Sequence, residues 1–242
     1  MGVQQAPRLS EISKIQHHKG KALCRGRNST LLKVFNAMTN PTNAVAELTV
    51  AQMLNMVRRV PYVMNELRDG AWYRHIGREL KNLQVGLIGF GRIGKRVHDL
   101  LQPFTSDIKL NDIDLSQYGS NVGYAVTKDE IYSTCDIISL HVPLDESTLD
   151  MVGADELAMM KPNACLLNMS RGGIVNEAAA LAHVRSHRDF MLAIDTFTTE
   201  PYTGKLLRQF NVLPTPHLGS CSLASRKDME VGAAENVLNM LF

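Results

Sequence analysis

The stretch Gln84-Val-Gly-Leu-Ile-Gly-Phe-Gly-Arg-Ile-Gly94 decides how this chain is read. Its first half is an apolar run of strand length, and Ile93, Val97, Leu100 and Leu101 then recur at helical spacing. Between strand and helix stand three glycines. Gly89 allows a tight turn, Gly91 lets backbone come close to a pyrophosphate, and Gly94 lets helix and strand pack together. The helix start, with Arg92 and Ile93, offers N–H groups and the positive end of the helix dipole to phosphate. A second short strand, Ile108 to Leu110, is followed by Asp112, placed to accept hydrogen bonds from ribose hydroxyls. A carboxylate there repels the 2′-phosphate of NADP, and no arginine follows it to compensate. NAD is therefore the expected cofactor, bound by Gly89, Gly91, Arg92, Ile93, Gly94 and Asp112.

Downstream the same texture repeats. Thr127-Lys-Asp-Glu130 reads as a capping box that opens a helix. Ile137 to Leu140 is a buried strand and Ala164 to Leu167 another. Asn176 to Val184 is helical, and Met191 to Ile194 is again a strand. Strands alternating with helices call for an α/β fold with a parallel sheet covered on both faces. Right-handed crossovers make that sheet doubly wound, and its ligands lie beyond the carboxyl ends of the strands. Upstream, Ala46, Val50, Met53, Leu54, Val57, Val60, Val63, Met64 and Leu67 also recur at helical steps, with Pro61 expected to kink or split the run. So many apolar positions predict a helix buried on more than one side, forming a homodimer contact across 43–72. Residues 1–35 show little periodicity and read as irregular.

The totals narrow the class. Of 242 residues, 45% are hydrophobic and 21% charged, as in ordinary globular domains. A formal charge of +2 gives no overall pull toward nucleic acid or membrane, and no apolar run is long enough for a helical span. The first residues lack the apolar core of a secretory signal. Cys24, Cys135, Cys165 and Cys221 are scattered without metal-ligand spacing, so neither a metal site nor a disulfide framework is expected, and a cytoplasmic setting fits. The head carries Arg8, Lys14, Lys19, Lys21, Arg25, Arg27 and Lys33 against Glu11 alone. Without aromatics for base stacking, it reads as a solvated piece of a domain rather than a nucleic-acid arm.

With the glycine turn and Asp112 in place, further segments resemble the D-isomer-specific 2-hydroxy-acid dehydrogenases, especially their D-3-phosphoglycerate dehydrogenase branch. These are Asn43-Ala-Val-Ala-Glu47, His141-Val-Pro-Leu144, Met160-Lys-Pro-Asn163, Asn168-Met-Ser-Arg-Gly-Gly173, Asp195-Thr-Phe-Thr-Thr-Glu-Pro201 and Thr215-Pro-His-Leu-Gly219. The resemblance implies a Rossmann-type sheet and a small 2-hydroxy or 2-oxo acid substrate such as 3-phosphoglycerate, glyoxylate or hydroxypyruvate. It makes Arg171 the grip on the substrate carboxylate, with Glu200 and His217 as the proton-handling pair. The chemistry agrees: reducing a carbonyl needs a proton that histidine can supply near neutral pH, and a neighbouring carboxylate stabilises imidazolium. Arginine's fork matches two carboxylate oxygens. Asp195 is implied to meet the nicotinamide carboxamide. His141, Val142, Pro143, Asn168, Met169, His217, Gly219 and Ser220 complete the implied cofactor wall.

Departures from the pattern shape the expected organisation. Relatives carry a full substrate lobe ahead of the shared core, with a glycine-rich A-G-x-G-x-D-N loop; here the corresponding region reads Gln16-His-His-Lys-Gly-Lys-Ala-Leu-Cys24. Residues 1–42 are accordingly expected to be a remnant of that lobe, 43–221 the NAD-binding domain, and 222–242 a return helix. Formate dehydrogenase shares the fold but has glutamine where this chain has Glu200. An inactive NAD-binding paralogue acting as a binding or regulatory protein, like the C-terminal-binding corepressors, stays open, because those proteins keep the Arg, Glu and His.

Overall fold

Residues 41–119 and 124–241 are described by the computed structural model, together with the backbone of 15–18, 21–25 and 31–35. The chain opens with β1 (Ile15–His18), β2 (Lys21–Arg25) and β3 (Leu31–Phe35), then α1 (Thr42–Val57) and α2 (Val60–Arg68). The alternating part follows as β4 (Val85–Ile88), α3 (Arg92–Leu101), β5 (Ile108–Asn111), α4 (Lys128–Thr134), β6 (Ile137–Leu140) and α5 (Ala154–Met159). It continues with β7 (Cys165–Asn168), α6 (Glu177–Ser186), β8 (Met191–Ile194) and β9 (Val212–Pro214), and α7 (Leu223–Leu241) comes last. Residues 42–222 make one compact unit; 1–41 together with 223–242 make another.

In the first unit, six parallel strands lie in the order β5-β4-β6-β7-β8-β9. A parallel bridge between Leu110 and Ala125 extends the edge beyond β5. Alternation within each strand divides the core into two layers. Val85, Leu87, Ile137, Leu167 and Ala193 face α1 and α3, whereas Ile88, Ile138, Leu140, Leu166 and Ile194 face α4, α5 and α6. Helices on both faces of one parallel sheet make it doubly wound. The strand order turns at the β4–β6 boundary, so the loops after these two strands open the ligand crevice.

The apolar run upstream splits in two. Pro61 has no N–H to give the Val57 carbonyl, and its ring disfavours continuous helix there. Arg59 turns into the left-handed region at φ 53°, and α2 restarts with Pro61 in its first turn. The carbonyl of Val57 is taken instead by the Arg78 N–H at 2.8 Å. Gly77 makes this approach possible, since a Cβ there would lie 2.8 Å from the same oxygen. The burial of α1 has an origin other than a subunit contact. Val45, Ala46, Val50, Met53, Met56 and Val57 are spent on the chain's own sheet, beside α3. α2 buries no residue.

Three described segments within 1–35, a region read as irregular, are strands. β1, β2 and β3 form an antiparallel sheet, with His18 paired to Lys21 and Arg25 to Leu31. The other residues of 1–40 lie outside the described ones.

Candidate active site

The glycine turn is fixed by what surrounds it. Gly89 has φ +93°, and a Cβ on it would meet the His141 carbonyl at 2.6 Å. A Cβ on Gly94 would lie 2.1 Å from the Gly89 oxygen, so the start of α3 is pressed onto the turn. Gly91, which caps α3, is different: a Cβ there would meet nothing within 4 Å. Space therefore lies in front of the first helical turn, where N–H groups lack intrahelical acceptors. That arrangement fits a pyrophosphate.

Asp112 follows β5 and faces this turn. Its Oδ2 accepts the Phe90 N–H at 2.6 Å and its Oδ1 the Asp114 N–H at 2.8 Å. The Tyr118 phenol bonds the Asp112 backbone, and its ring stacks on Phe90 with centroids 6.0 Å apart. Asp112 thus ties the glycine turn to the end of β5. Sequence reasoning found the carboxylate but not the tether or Tyr118.

Across the crevice, the loop after β6 carries His141, Val142 and Pro143. His141 Nε2 meets Ser139 Oγ at 2.9 Å, while Nδ1 is enclosed with no hydrogen-bond partner. Burial pushes its pKa down to about 4, which keeps the ring neutral. Val142 packs on the α4–α6 side of the core, and the Pro143 carbonyl accepts from Thr148 Oγ1 at 2.6 Å.

Two further loops bring the remaining candidates together. Asn168, fully buried at the end of β7, donates through Nδ2 to the Arg171 carbonyl at 2.9 Å and accepts the Ser170 N–H at 3.2 Å. Its neighbour Met169 is part of the core. These two residues shape the loop from within, leaving Arg171 exposed at its tip. Gly172 is pressed against the next loop, since a Cβ there would come 2.1 Å from the Phe197 carbonyl. On that loop Glu200 accepts the Phe197 N–H through Oε1 at 3.0 Å, and its Oε2 lies 2.9 Å from His217 Nδ1. The hydrogen bond from His217, then that from Phe197, hold the Glu200 carboxyl below its usual range, with Arg171 adding a charge contribution.

His217 itself sits in the left-handed region at φ 54°, an uncommon conformation for a non-glycine residue and a local strain that surrounding bonds must hold. Asp195 supplies much of that hold. Buried at the end of β8, its carboxylate accepts from Thr215 Oγ1 at 2.5 Å, the Leu218 N–H at 2.7 Å and the Gly219 N–H at 2.8 Å, and its carbonyl accepts the His217 N–H at 2.8 Å. The resemblance assigns Asp195 to the carboxamide; the bonds it makes here fasten the His217 loop. Gly219 is buried against it and Ser220 half-buried beyond. Thr215 and Gly172 were inside the quoted motifs, yet only the fold reveals what they touch. A cavity of about 480 Å3 opens beside Glu200 and His217.

Comparison with known proteins agrees with this geometry. Residues 50–219 match the NAD-binding domain of the D-isomer specific 2-hydroxyacid dehydrogenases. The chain is 32% identical to a D-3-phosphoglycerate dehydrogenase of Synechocystis over 86% of its own length and 38% of that protein's. It is likewise 32% identical to a hydroxypyruvate reductase of Thermotoga maritima, over 87% of its length and 70% of the relative's. Among solved structures, a phosphoglycerate oxidoreductase from Vibrio cholerae superposes with a TM-score of 0.77 at 29% identity, covering 85% of this chain and 68% of that one. The chain thus spans much less than the full length of some relatives it matches.

Proposed function

Because the chain belongs to the D-isomer specific 2-hydroxyacid dehydrogenase family through its NAD-binding domain, we propose that it interconverts a D-2-hydroxy acid and the corresponding 2-oxo acid. NADH, when bound, supplies the hydride for the carbonyl carbon. Gly89, Gly91 and Gly94 hold the pyrophosphate at the start of α3, and Asp112 meets the adenosine ribose. Arg171 takes the substrate carboxylate in two parallel hydrogen bonds and polarises the adjacent carbonyl. His217 gives its proton to the carbonyl oxygen as the hydride arrives, so the 2-oxo acid gains two electrons and two hydrogens and becomes the alcohol. Glu200 fixes the ring through Nδ1, leaving Nε2 for the substrate, and balances the imidazolium charge.

The observation that carries this reading is the Glu200–His217 contact, within electrostatic reach of Arg171 and on loops leaving the carboxyl edge of the sheet. Turnover tests it. The purified chain should oxidise NADH with a 2-oxo acid and release the D-hydroxy acid; Arg171→Ala should raise KM and lower kcat together, because the carboxylate is held in ground and transition states. An L product would reject the assignment. NADH binding without reduction of any 2-oxo acid would favour a binding or regulatory role. Residues 1–42 and α7 are proposed to belong to the substrate lobe, and the cytoplasm is the proposed setting. No helix among the described residues is long and apolar enough to cross a membrane.

A further inference from the structure

Beside the Glu200–His217 pair lies the cavity of about 480 Å3, within the size range of small-molecule sites. Its walls are Phe197, Tyr202, Leu207, Pro214 and Pro216, with Pro201 at the edge. The Phe197 and Tyr202 rings stack in parallel at 4.1 Å, giving a flat apolar surface. Glu200, Thr215 and His217 add polar groups to the lining. Thr215 is already bonded to Asp195, so the reacting end of the cavity is Glu200 and His217. Among the described residues no lysine or arginine lines it, and the one carboxylate among them that does, Glu200, is held toward its ionised form by the His217 and Phe197 hydrogen bonds.

We propose that this cavity receives the side chain of the 2-oxo acid and selects an uncharged, apolar group, such as isobutyl or benzyl, over a phosphorylated one. The inference rests on the oxidoreductase reading above and narrows its substrate class. An acid of this kind has two ends of opposite character. The carboxylate and carbonyl meet Arg171 and His217, and the hydrocarbon end leaves water for the Phe197–Tyr202 surface. A phosphate in the same place would lose its hydration with no cation among the described lining residues to pair it and would stand beside the Glu200 carboxylate, an unfavourable burial of charge. Specificity is then a difference between the two burials. Leu207 is the position best suited to test it, because it lines the cavity yet stays half exposed on the 3-10 turn Lys205–Arg208.

The experiment compares 4-methyl-2-oxopentanoate, phenylpyruvate, glyoxylate and 3-phosphohydroxypyruvate with NADH on the full 242-residue chain. The kcat/KM for the two apolar acids should exceed that for the phosphorylated acid by about tenfold or more, in line with what one well-matched apolar group contributes to discrimination. Leu207→Trp, which fills the cavity, should lower kcat/KM for phenylpyruvate by about tenfold while changing glyoxylate, which has no side chain, by less than about threefold. A preference for 3-phosphohydroxypyruvate would overturn the proposal, as would a Leu207→Trp chain slowed equally on every acid. Ligand-observed NMR of 4-methyl-2-oxopentanoate on the NAD-loaded chain separates the two claims. If no acid is reduced but this one binds and Leu207→Trp abolishes the binding, the cavity assignment stands and the enzyme reading falls. If neither apolar acid binds or reacts, the cavity assignment falls.

Discussion

Asp112 follows β5 and carries the charge that a 2′-phosphate would meet. Its position after the second strand and its charge gave the preference for NAD, because a carboxylate and a 2′-phosphate repel each other. Its bonds to the Phe90 and Asp114 N–H groups were not legible, since they depend on how two loops meet in space. They also decide which variant tests the preference. Asp112→Asn keeps an acceptor for Phe90 and removes only the charge, and Ile113→Arg adds a cation at a position that is 99% exposed. The pair of changes should narrow the NAD-over-NADP affinity gap by about tenfold, or about 1.4 kcal/mol, as measured by calorimetry. Equal affinity for both cofactors in the unaltered chain would refute the role given to Asp112. Arg171, Glu200 and His217 were singled out through the family resemblance; of these, Glu200 and His217 are in contact at 2.9 Å. Asp195 was harder, because what it holds is the backbone of a loop far along the chain.

At the scale of elements, the apolar runs identified β4, β6, β7 and β8 to within a residue, since each is short and buried on both faces, whereas the three-residue β9 was not read. Thr127 was read as a helix cap, and its hydroxyl does accept the Glu130 N–H at 3.2 Å. The returning half of that capping box is absent from the observed bonds; Glu130 instead pairs with Lys109 at 2.7 Å. Reading failed where charged residues interrupt short runs, as in β2 and β3. It also missed how α6 ends. Asn211, 1% exposed and distant in sequence, donates to the carbonyls of Val184 at 2.9 Å, His187 at 3.2 Å and Phe190 at 2.9 Å. Asn211→Ala leaves these carbonyls without that donor and should cost about 1–3 kcal/mol in urea unfolding. A loss below about 0.5 kcal/mol would mean that other groups or water replace it.

The whole molecule is a question of which apolar surface is spent internally. The run over 43–72 was expected to serve a dimer, and the helix α1 within it is consumed by the chain's own core. What stays uncovered is Met64 and Leu67 on α2, then Trp72 at 81% and Ile76 at 95% exposure. We propose that this smaller surface pairs two copies of the chain. Light scattering at micromolar concentration should give twice the 26.9 kDa chain mass, and Leu67→Glu should return it to the single mass. A monomer in the unaltered protein would exclude the pairing. The central claim is that one sheet edge binds NAD and, through His217, delivers a proton to a 2-oxo acid. Its most direct test measures NADH binding and NADH oxidation on the unaltered chain and on His217→Ala, side by side. Nearly equal NADH affinity is expected, because the glycine turn and Asp112 are untouched, together with a drop of about 10²–10⁴ in turnover. Undiminished 2-oxo acid reduction by His217→Ala would contradict it.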